Sequence, residues 1–157
     1  MHPRAAEFSE RAREELDLEV EVHEFPEGTK TAEDAAAAVG CDVAQIASSI
    51  AMVADELVVV VTSGANRVSE QRLGTLRGVD ADAVRMAEAD EIKETLGFSI
   101  GGVPPFLHDT DVPVYLDETL TDFETVWAAA GTPEAVFPIA PDRILELSGA
   151  TVAGIAD

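Results

Sequence analysis

The chain lacks long apolar runs and paired cysteines, and each absence removes a class of protein. No apolar run exceeds five residues, whereas a membrane helix needs roughly 20, so no membrane partner is expected. The polar stretch at residues 1–17 has no apolar centre of the kind that a signal peptide carries. Cys41 is the one cysteine and cannot form an internal disulfide, which fits a reducing cytosol. We therefore expect a cytoplasmic protein.

Clustered histidines are also lacking. His2, His23 and His108 are far apart in the sequence, and no two of them have metal-ligand spacing on one element. A structural zinc site is therefore not expected. The sequence predicts neither a metal nor another cofactor.

Basic residues are scarce. Ten Lys and Arg face 31 Asp and Glu, for a net charge of -21, and the only lysines are Lys30 and Lys93. Affinity for duplex nucleic acid rests on Lys and Arg that neutralise phosphates. Because no basic stripe exists, duplex DNA is not an expected partner. A nucleic-acid substrate would be gripped over a small part only.

The acidity does not indicate disorder, because 46% of the residues are hydrophobic and can close a core. A folded domain this acidic repels itself at low salt. Near 1 M salt the Debye length falls to about 3 Å and removes that penalty. The composition therefore favours a salt-rich cytoplasm. The alternative is an acidic surface that meets a basic partner.

The order of predicted elements indicates a single α/β (α+β) domain over residues 1–157. Strands and helices alternate in the first half and strands cluster in the second. This order predicts a mixed sheet or a partly closed barrel surrounded by helices. Helices are predicted at 9–16, at 32–39 after an N-cap at Thr31, in a short segment capped by Asp42 and Gln45, at 69–76, at 88–96 and at 141–149. Strands are predicted at 18–25, 50–53, 56–62, 83–86, 112–116, 125–130 and 135–139, with 57–61 buried on both faces.

A G-x-S-x-G pattern centred on Ser99 matches the nucleophile elbow of serine hydrolases. That elbow needs a strand before the serine and a helix after it, but the sequence predicts a helix before and a proline loop after. The only downstream histidine is His108, nine residues later. The alternative is a loop in which Ser99 has no chemical role.

The run from Gly101 to Pro105, Gly-Gly-Val-Pro-Pro, must form a rigid, non-helical loop. Adjacent glycines leave backbone N–H groups approachable, as a site for an oxyanion or a carbonyl group requires. The alternative is a tight surface connection.

Four further residues carry candidate side chains. Asn66 and Arg67 follow the strongest strand, where ligands collect in α/β sheets, and Arg67 could meet a phosphate or simply be exposed in a turn. Asp117 could position a hydroxyl or cap a turn. His108 lies near the glycine loop and is the best candidate for a group that titrates.

Six segments, in order and spacing, resemble the YbaK and prolyl-tRNA-synthetase-insertion family of editing domains. They read TAEDAA at 31–36, QIASSI at 45–50, SGANRV at 63–68, TLGFSIGGVPP at 95–105, VYLDETL at 114–120 and VWAAAG at 126–131. No single segment is decisive, and the Gly-Gly-Val-Pro-Pro loop is the most telling.

The resemblance implies a compact mixed α/β fold around a barrel-like sheet. It implies metal-free hydrolysis of the ester that joins a small, wrongly attached amino acid to the 3′ adenosine of a tRNA. Water would attack, assisted by the substrate's ribose hydroxyl and by loop amides. The expected partners are the 3′ end of aminoacyl-tRNA and a prolyl-tRNA synthetase or a tRNA-bound complex.

The resemblance also implies residue roles. Gly101 and Gly102 would orient the aminoacyl carbonyl, and Thr31 would border the pocket mouth. Asn66 and Arg67 would line the adenosine or phosphate side. The remaining substrate-binding candidates are Lys30, Pro104, His108 and Asp117.

Ser48 departs from the family pattern, because members commonly carry a lysine there to hold the terminal phosphate or hydroxyl. A serine hydroxyl forms hydrogen bonds but has no charge. Either the hydroxyl serves in place of the ammonium as a catalytic group, or Lys30 or Arg67 supplies the charge, or the chain is a binding module that does not edit. Loss of a charge-assisted contact of about 2–3 kcal/mol would cost roughly 30- to 150-fold in rate or affinity.

Overall fold

The computed structural model describes residues 1–25 and 31–156 and contains a mixed sheet of eight strands flanked by helices. The strands are β1 (His23–Glu24), β2 (Ile46–Ala54), β3 (Glu56–Ser63), β4 (Arg85–Met86), β5 (Val114–Asp117), β6 (Val126–Ala129), β7 (Ala135–Ile139) and β8 (Thr151–Ala153). The helices are α1 (Pro3–Leu16), α2 (Ala32–Val39), α3 (Glu70–Arg77), α4 (Ala89–Leu96) and α5 (Pro141–Ser148). Lys30 lies outside the described residues.

The sheet is mixed and open, so the structure matches the predicted mixed sheet and not the predicted partly closed barrel. Its strand order is β1-β7-β6-β2-β3-β5-β8, with β4 paired to β2 off this path. The pairs β2–β6, β3–β5 and β5–β8 are parallel, while β2–β3, β2–β4, β6–β7 and β1–β7 are antiparallel. Within the described residues the sheet does not close into a barrel, since the strands at its two ends, β1 and β8, do not pair with each other.

The strand β3 lies at the centre of the core, as its continuous apolar run predicts. Val59 and Val61 pack into the larger hydrophobic cluster, and Val58 and Val60 pack into a second cluster on the opposite face. All four side chains are fully buried. The prediction of a strand buried on both faces is confirmed.

The helix boundaries follow local capping chemistry. The Thr31 hydroxyl accepts a hydrogen bond from the Asp34 amide at the start of α2, and Gly40 ends the helix with a left-handed φ of 80°. Ser69 caps α3 by accepting from the Arg72 amide. These two predicted N-caps are confirmed.

Two predicted elements need correction, and one strand was not predicted. The alternating segment 18–25 is extended, but only β1 pairs, with β7, and Leu18 and Val22 pack against the core with no strand beside them. The segment capped by Asp42 is a single 3₁₀ turn, because β2 begins at Ile46 immediately after it. The three-residue strand β8 was not predicted, since its pairing with β5 leaves no periodic signal in so short a segment.

Candidate functional site

The candidate site forms where the sheet is interrupted beside β2. On one edge, β2 pairs with β6 through Ile46 and Ala47, and further along the same edge it pairs with β4 through Met52 and Val53. Residues 48–51 lie between these two pairings and have no strand partner on that edge. The missing stretch of sheet leaves a hollow whose wall is the exposed edge of β2.

A cavity of about 550 Å³ occupies this hollow. Its walls come from β2, β6 and β7, the N-terminal turn of α2, the helix α4 and the loop after α4. The described lining residues are Thr31, Ala32, Ala35, Ile46, Ala47, Ser48, Ser49, Ile50, Ala51, Met86, Ile92, Ile100, Gly101, Val103, Trp127, Ala129, Pro133, Ala135 and Val136. None of them is ionisable, so the cavity is apolar with a few hydroxyl and main-chain polar groups.

The predicted residues Thr31, Ser48 and Gly101 meet at this cavity. Thr31 uses its hydroxyl to cap α2. Ser48 is half-buried, and its hydroxyl makes no hydrogen bond to another described residue. The structure therefore brings together one predicted residue from each of three separate segments of the chain.

The two adjacent glycines of the loop occupy different environments. Gly101 lines the cavity with a left-handed φ of 84°. Gly102 is buried against Thr132, where an added Cβ would lie 2.8 Å from the Thr132 Cα atom. The Gly102 amide donates to the Ser99 carbonyl at 3.0 Å, whereas the Gly101 amide has no acceptor among the described residues. Gly101 is thus the glycine whose N–H group is available to a ligand.

Ser99 does not occupy a nucleophile elbow. The helix α4 ends three residues before it, where the elbow requires a strand. Ser99 is exposed, and the Nε2 atom of His108 lies 2.8 Å from the Pro104 carbonyl oxygen. The geometry of a serine hydrolase is therefore not formed.

Asn66 and Asp117 belong to a buried polar cluster outside the cavity lining. Asp117 accepts hydrogen bonds from the Thr62 hydroxyl, the Ser63 amide, the Asn66 side chain and the Thr119 amide, at 2.9–3.1 Å. Burial alone would raise the pKa of Asp117, but these donors, led by Asn66, outweigh it and lower the pKa. Asn66 also donates to the Thr119 hydroxyl, so both of its N–H bonds are used.

His108 lines a second, smaller cavity of about 240 Å³ between α1, the proline loop and α5. Burial lowers the pKa of His108, although its contact with the Pro104 carbonyl opposes the shift. A neutral ring with a proton on Nε2 then donates to that carbonyl. Pro104 is buried, and Arg67 is exposed in the turn after β3. None of these three residues lines the larger cavity.

Ser49 was not singled out from the sequence, yet it lines the larger cavity with a distinctive feature. Its hydroxyl oxygen is buried and has no hydrogen-bond partner among the described residues. The only signal in the sequence is a pair of serines within an otherwise apolar strand. Successive strand residues face opposite sides, so the two serines differ in environment.

The described residues hold no group of three His, Cys, Asp or Glu side chains placed to bind a metal. In the same part of the chain, every helix is too short or too polar to cross a membrane.

Comparisons with known proteins identify the family to which the chain is related. A family model described as an aminoacyl-tRNA editing domain matches residues 26–147. The YwhH protein of Bacillus subtilis is 32% identical over 132 residues, which cover 83% of this chain and 82% of YwhH. A crystal structure described as a candidate trans-editing enzyme for prolyl tRNA synthetase superposes with a TM-score of 0.92 at 38% identity, over 100% of this chain and 99% of that one.

A proline–tRNA ligase of Lactobacillus johnsonii is 38% identical over 87 residues, or 55% of this chain. The match spans only 15% of the ligase, so the chain corresponds to one segment of that much longer enzyme. The family model covers well over half of the chain and includes the walls of the larger cavity from Thr31 to Val136. The chain belongs to the family of aminoacyl-tRNA editing domains.

Proposed function

We propose that the chain is a cytoplasmic deacylase that acts in trans on tRNA carrying a wrong, small amino acid. It would hydrolyse the ester between that amino acid and the 3′ adenosine, with tRNA for proline as the expected substrate. Family membership and the proline–tRNA ligase relatives support the substrate class. The Lactobacillus ligase match also makes a prolyl-tRNA synthetase, or its complex with tRNA, a partner worth testing.

The observation that carries the proposal is the composition of the larger cavity. Its volume of about 550 Å³ falls within the range of small-ligand sites. Apolar side chains such as Ile50 and Val136 suit a small aliphatic side chain, while Ser48 and the Gly101 amide offer polar contacts. An aminoacyl ester has this division between an apolar side chain and polar ester atoms.

The chemistry proposed for this site uses no protein base. Water would attack the ester carbonyl carbon, and the developing oxyanion would accept a hydrogen bond from the Gly101 amide. The adenosine ribose hydroxyl next to the ester would position the water and relay its proton to the departing ribose oxygen as the ester C–O bond breaks, which releases the free amino acid and a tRNA with both ribose hydroxyls. The Ser48 hydroxyl would hold the ribose or the terminal phosphate. The neutral lining supports substrate assistance, since no described lining residue ionises.

A second candidate is a binding module with the same cavity and no hydrolysis. The observation that favours it is Ser48, which gives the cavity a neutral group where related domains commonly place a lysine. Binding of an aminoacyl end would then persist while the ester survives.

The test is release of amino acid from alanyl- and cysteinyl-tRNA for proline in molar potassium chloride. The natural protein is compared with Ser48→Ala, Ser48→Lys and, as a matched control, Ser99→Ala on the exposed loop. We expect the natural protein and Ser99→Ala to hydrolyse one substrate equally, and Ser48→Ala to lose roughly 10-fold or more. Activity of Ser48→Lys alone would favour the binding module. Inactivity of all four would refute the deacylase.

A further inference from the structure

The exposed edge of β2 presents main-chain polar groups to the larger cavity. In a strand, successive residues direct their N–H and C=O groups to opposite edges. The Ile46 carbonyl accepts from the Gly64 amide, on the side of β3, whereas the Ala51 carbonyl accepts from the Ala87 amide, on the side of β4. By this alternation, Ser49 and Ala51 direct their main-chain groups toward the gap between β6 and β4.

Three of these main-chain groups are unpaired. The pairing of β2 with β6 ends at Ala47, and its pairing with β4 begins at Met52. The registers of these two pairings give no ladder partner to the Ser49 N–H, the Ser49 C=O or the Ala51 N–H, and none of the three takes part in the other main-chain hydrogen bonds of the described residues. Strand edges that lie in cores are ordinarily paired or covered, because a buried unpaired main-chain group is costly.

The Ser49 side chain adds a fourth polar group to the same wall. Its hydroxyl oxygen is buried and has no hydrogen-bond partner among the described residues. By strand alternation, Ser49 faces the same side of the sheet as the apolar residues Ala47 and Ala51. Alanine would fill this position without an unsatisfied hydroxyl. A buried polar group in this state is free to form its missing hydrogen bond with a ligand.

The unpaired main-chain groups are spaced so that a single residue of an added parallel strand could bond to them. In a parallel ladder, one residue donates its N–H to the carbonyl of one neighbour and accepts from the N–H two positions further along. Opposite Ile50, those two groups are the Ser49 carbonyl and the Ala51 amide. An aminoacyl ester carries an amino nitrogen, a Cα atom and a carbonyl group in the order of such a residue.

We propose that the open edge of β2 is the recognition site for the amino-acid part of the substrate, which binds as a single added strand residue. Its α-ammonium group donates to the Ser49 carbonyl and hydroxyl oxygens. Its ester carbonyl accepts from the Ala51 amide, and the second lone pair of that oxygen faces the Gly101 amide. This assignment rests on the proposed deacylase function and goes further, because it makes the site specific for α-amino acyl esters through main-chain contacts.

The direct test is hydrogen exchange of individual amides by NMR. The full chain is titrated with a non-hydrolysable alanyl-adenosine in which an amide replaces the ester, and separately with the propionyl compound that lacks the amino group. We expect the Ala51 amide, which donates to the carbonyl of the bound compound, to exchange at least 10-fold more slowly with the alanyl compound, with weaker protection from the propionyl one. The Gly102 amide, already bonded to Ser99, is the internal control and should not change.

Binding that shifts cavity resonances without protecting the Ala51 amide would overturn the edge assignment and leave the deacylase proposal intact. No binding at millimolar concentration, together with no hydrolysis of alanyl-tRNA, would overturn both.

The second test compares alanyl-tRNA with lactyl-tRNA, in which a hydroxyl replaces the ammonium. After correction for the spontaneous hydrolysis of each ester, kcat/KM should fall roughly 10- to 100-fold for the lactyl ester, because a charge-assisted hydrogen bond is lost. Equal corrected values would contradict recognition of the ammonium.

Ser49→Ala provides the matching change in the protein. It should lower kcat/KM for alanyl-tRNA about 3- to 10-fold, with little effect on lactyl-tRNA. Its Tm should be unchanged or raised by roughly 2–4 °C, because an unsatisfied buried hydroxyl is removed. A lowered Tm with unchanged kcat/KM would show that Ser49 is structural and would contradict its assigned role.

Discussion

The buried Asp117 cluster and the wall of the larger cavity both contain polar groups, and each includes residues that were predicted from the sequence. In the cluster, Asp117 accepts four hydrogen bonds, and Asn66 uses both of its N–H bonds. On the cavity wall, the Ser49 hydroxyl and neighbouring main-chain groups have no hydrogen-bond partner among the described residues. Polar groups whose hydrogen bonds are all formed within the protein stabilise the fold, whereas polar groups without a partner are available to a substrate.

This contrast assigns different consequences to substitutions in the two regions. Changes in the Asp117 cluster should alter stability first, and activity only through it. Changes on the cavity wall should alter activity with little loss of stability.

Asp117→Ala should give the largest loss, about 3–4 kcal/mol of unfolding free energy. It would leave the buried Ser63 amide and the Thr62 hydroxyl without their acceptor. Urea denaturation at constant salt measures this loss, and Asp122→Ala, at an exposed position one 3₁₀ turn away, is the control. Equal free energies of unfolding for the two variants would contradict a structural role for Asp117.

Gly102→Ala should cost about 1–3 kcal/mol, because its Cβ would overlap the backbone of Thr132. Gly40→Ala is the matched control for helix-end strain, since it has a φ of 80° and nothing within 4 Å of an added Cβ, and we expect a cost of about 1 kcal/mol. Thermal unfolding measures both. Because the loop must move, Gly102→Ala should also lower deacylation, whereas Gly40→Ala should not. The opposite order would indicate that the loop adapts freely.

The pH dependence of stability should separate Asp117 from the other carboxylates. Its folded-state pKa is lowered, so its stabilisation is complete above the unfolded value of about 3.9 and is lost as the pH falls through the folded value. The stability difference between the natural chain and Asp117→Asn should therefore shrink below about pH 4. Denaturant titrations from pH 3 to 7 in high salt test this, and a constant difference would contradict the lowered pKa.

The exposed pair of Arg85 and Glu91 should have the smallest effect on stability. The side-chain hydrogen bond from Arg85 lowers the pKa of Glu91 to about 2. Arg85→Ala should raise that pKa toward its usual range, as followed by NMR titration of the Glu91 carboxyl. Solvent screens such a pair, so Tm should barely move. A large fall in Tm would place this pair with Asp117 among the groups that hold the fold.

Local chemistry accounts for the parts of the fold that were predicted. The Thr31 cap, the glycine helix ends and the β-branched run of β3 depend on neighbours in sequence, and the structure contains each as expected. The prediction of a strand over 18–25 was wrong for most of its length. Alternation of apolar residues indicates that one face is buried, but it does not show that the backbone pairs with a neighbouring strand. The capping box of Asp42 and Gln45 forms, but the following residues join the sheet instead of extending the helix.

The residues of the candidate site were predictable only in part, because some of its features depend on strands that are distant in sequence. Ser48, Gly101 and Thr31 were identified through the resemblance, and they line one cavity. The open edge of β2 depends on where β6 stops and β4 begins, and these strands lie about 80 and 35 positions away in sequence. The residues next to Ser49 in sequence give no indication of where the β2–β6 pairing ends and the β2–β4 pairing begins. Which amide of the glycine pair is already bonded depends likewise on the three-dimensional turn.

The most direct test of the account is to fill each cavity in turn. Ala129→Leu places a larger apolar side chain in the larger cavity, and Val112→Leu does so in the smaller one. Release of amino acid from mischarged tRNA for proline is measured for both variants at matched folded fractions. The account predicts loss of hydrolysis in Ala129→Leu and full activity in Val112→Leu. Retained hydrolysis in a folded Ala129→Leu variant would contradict the assignment of the active site to the gap beside β2.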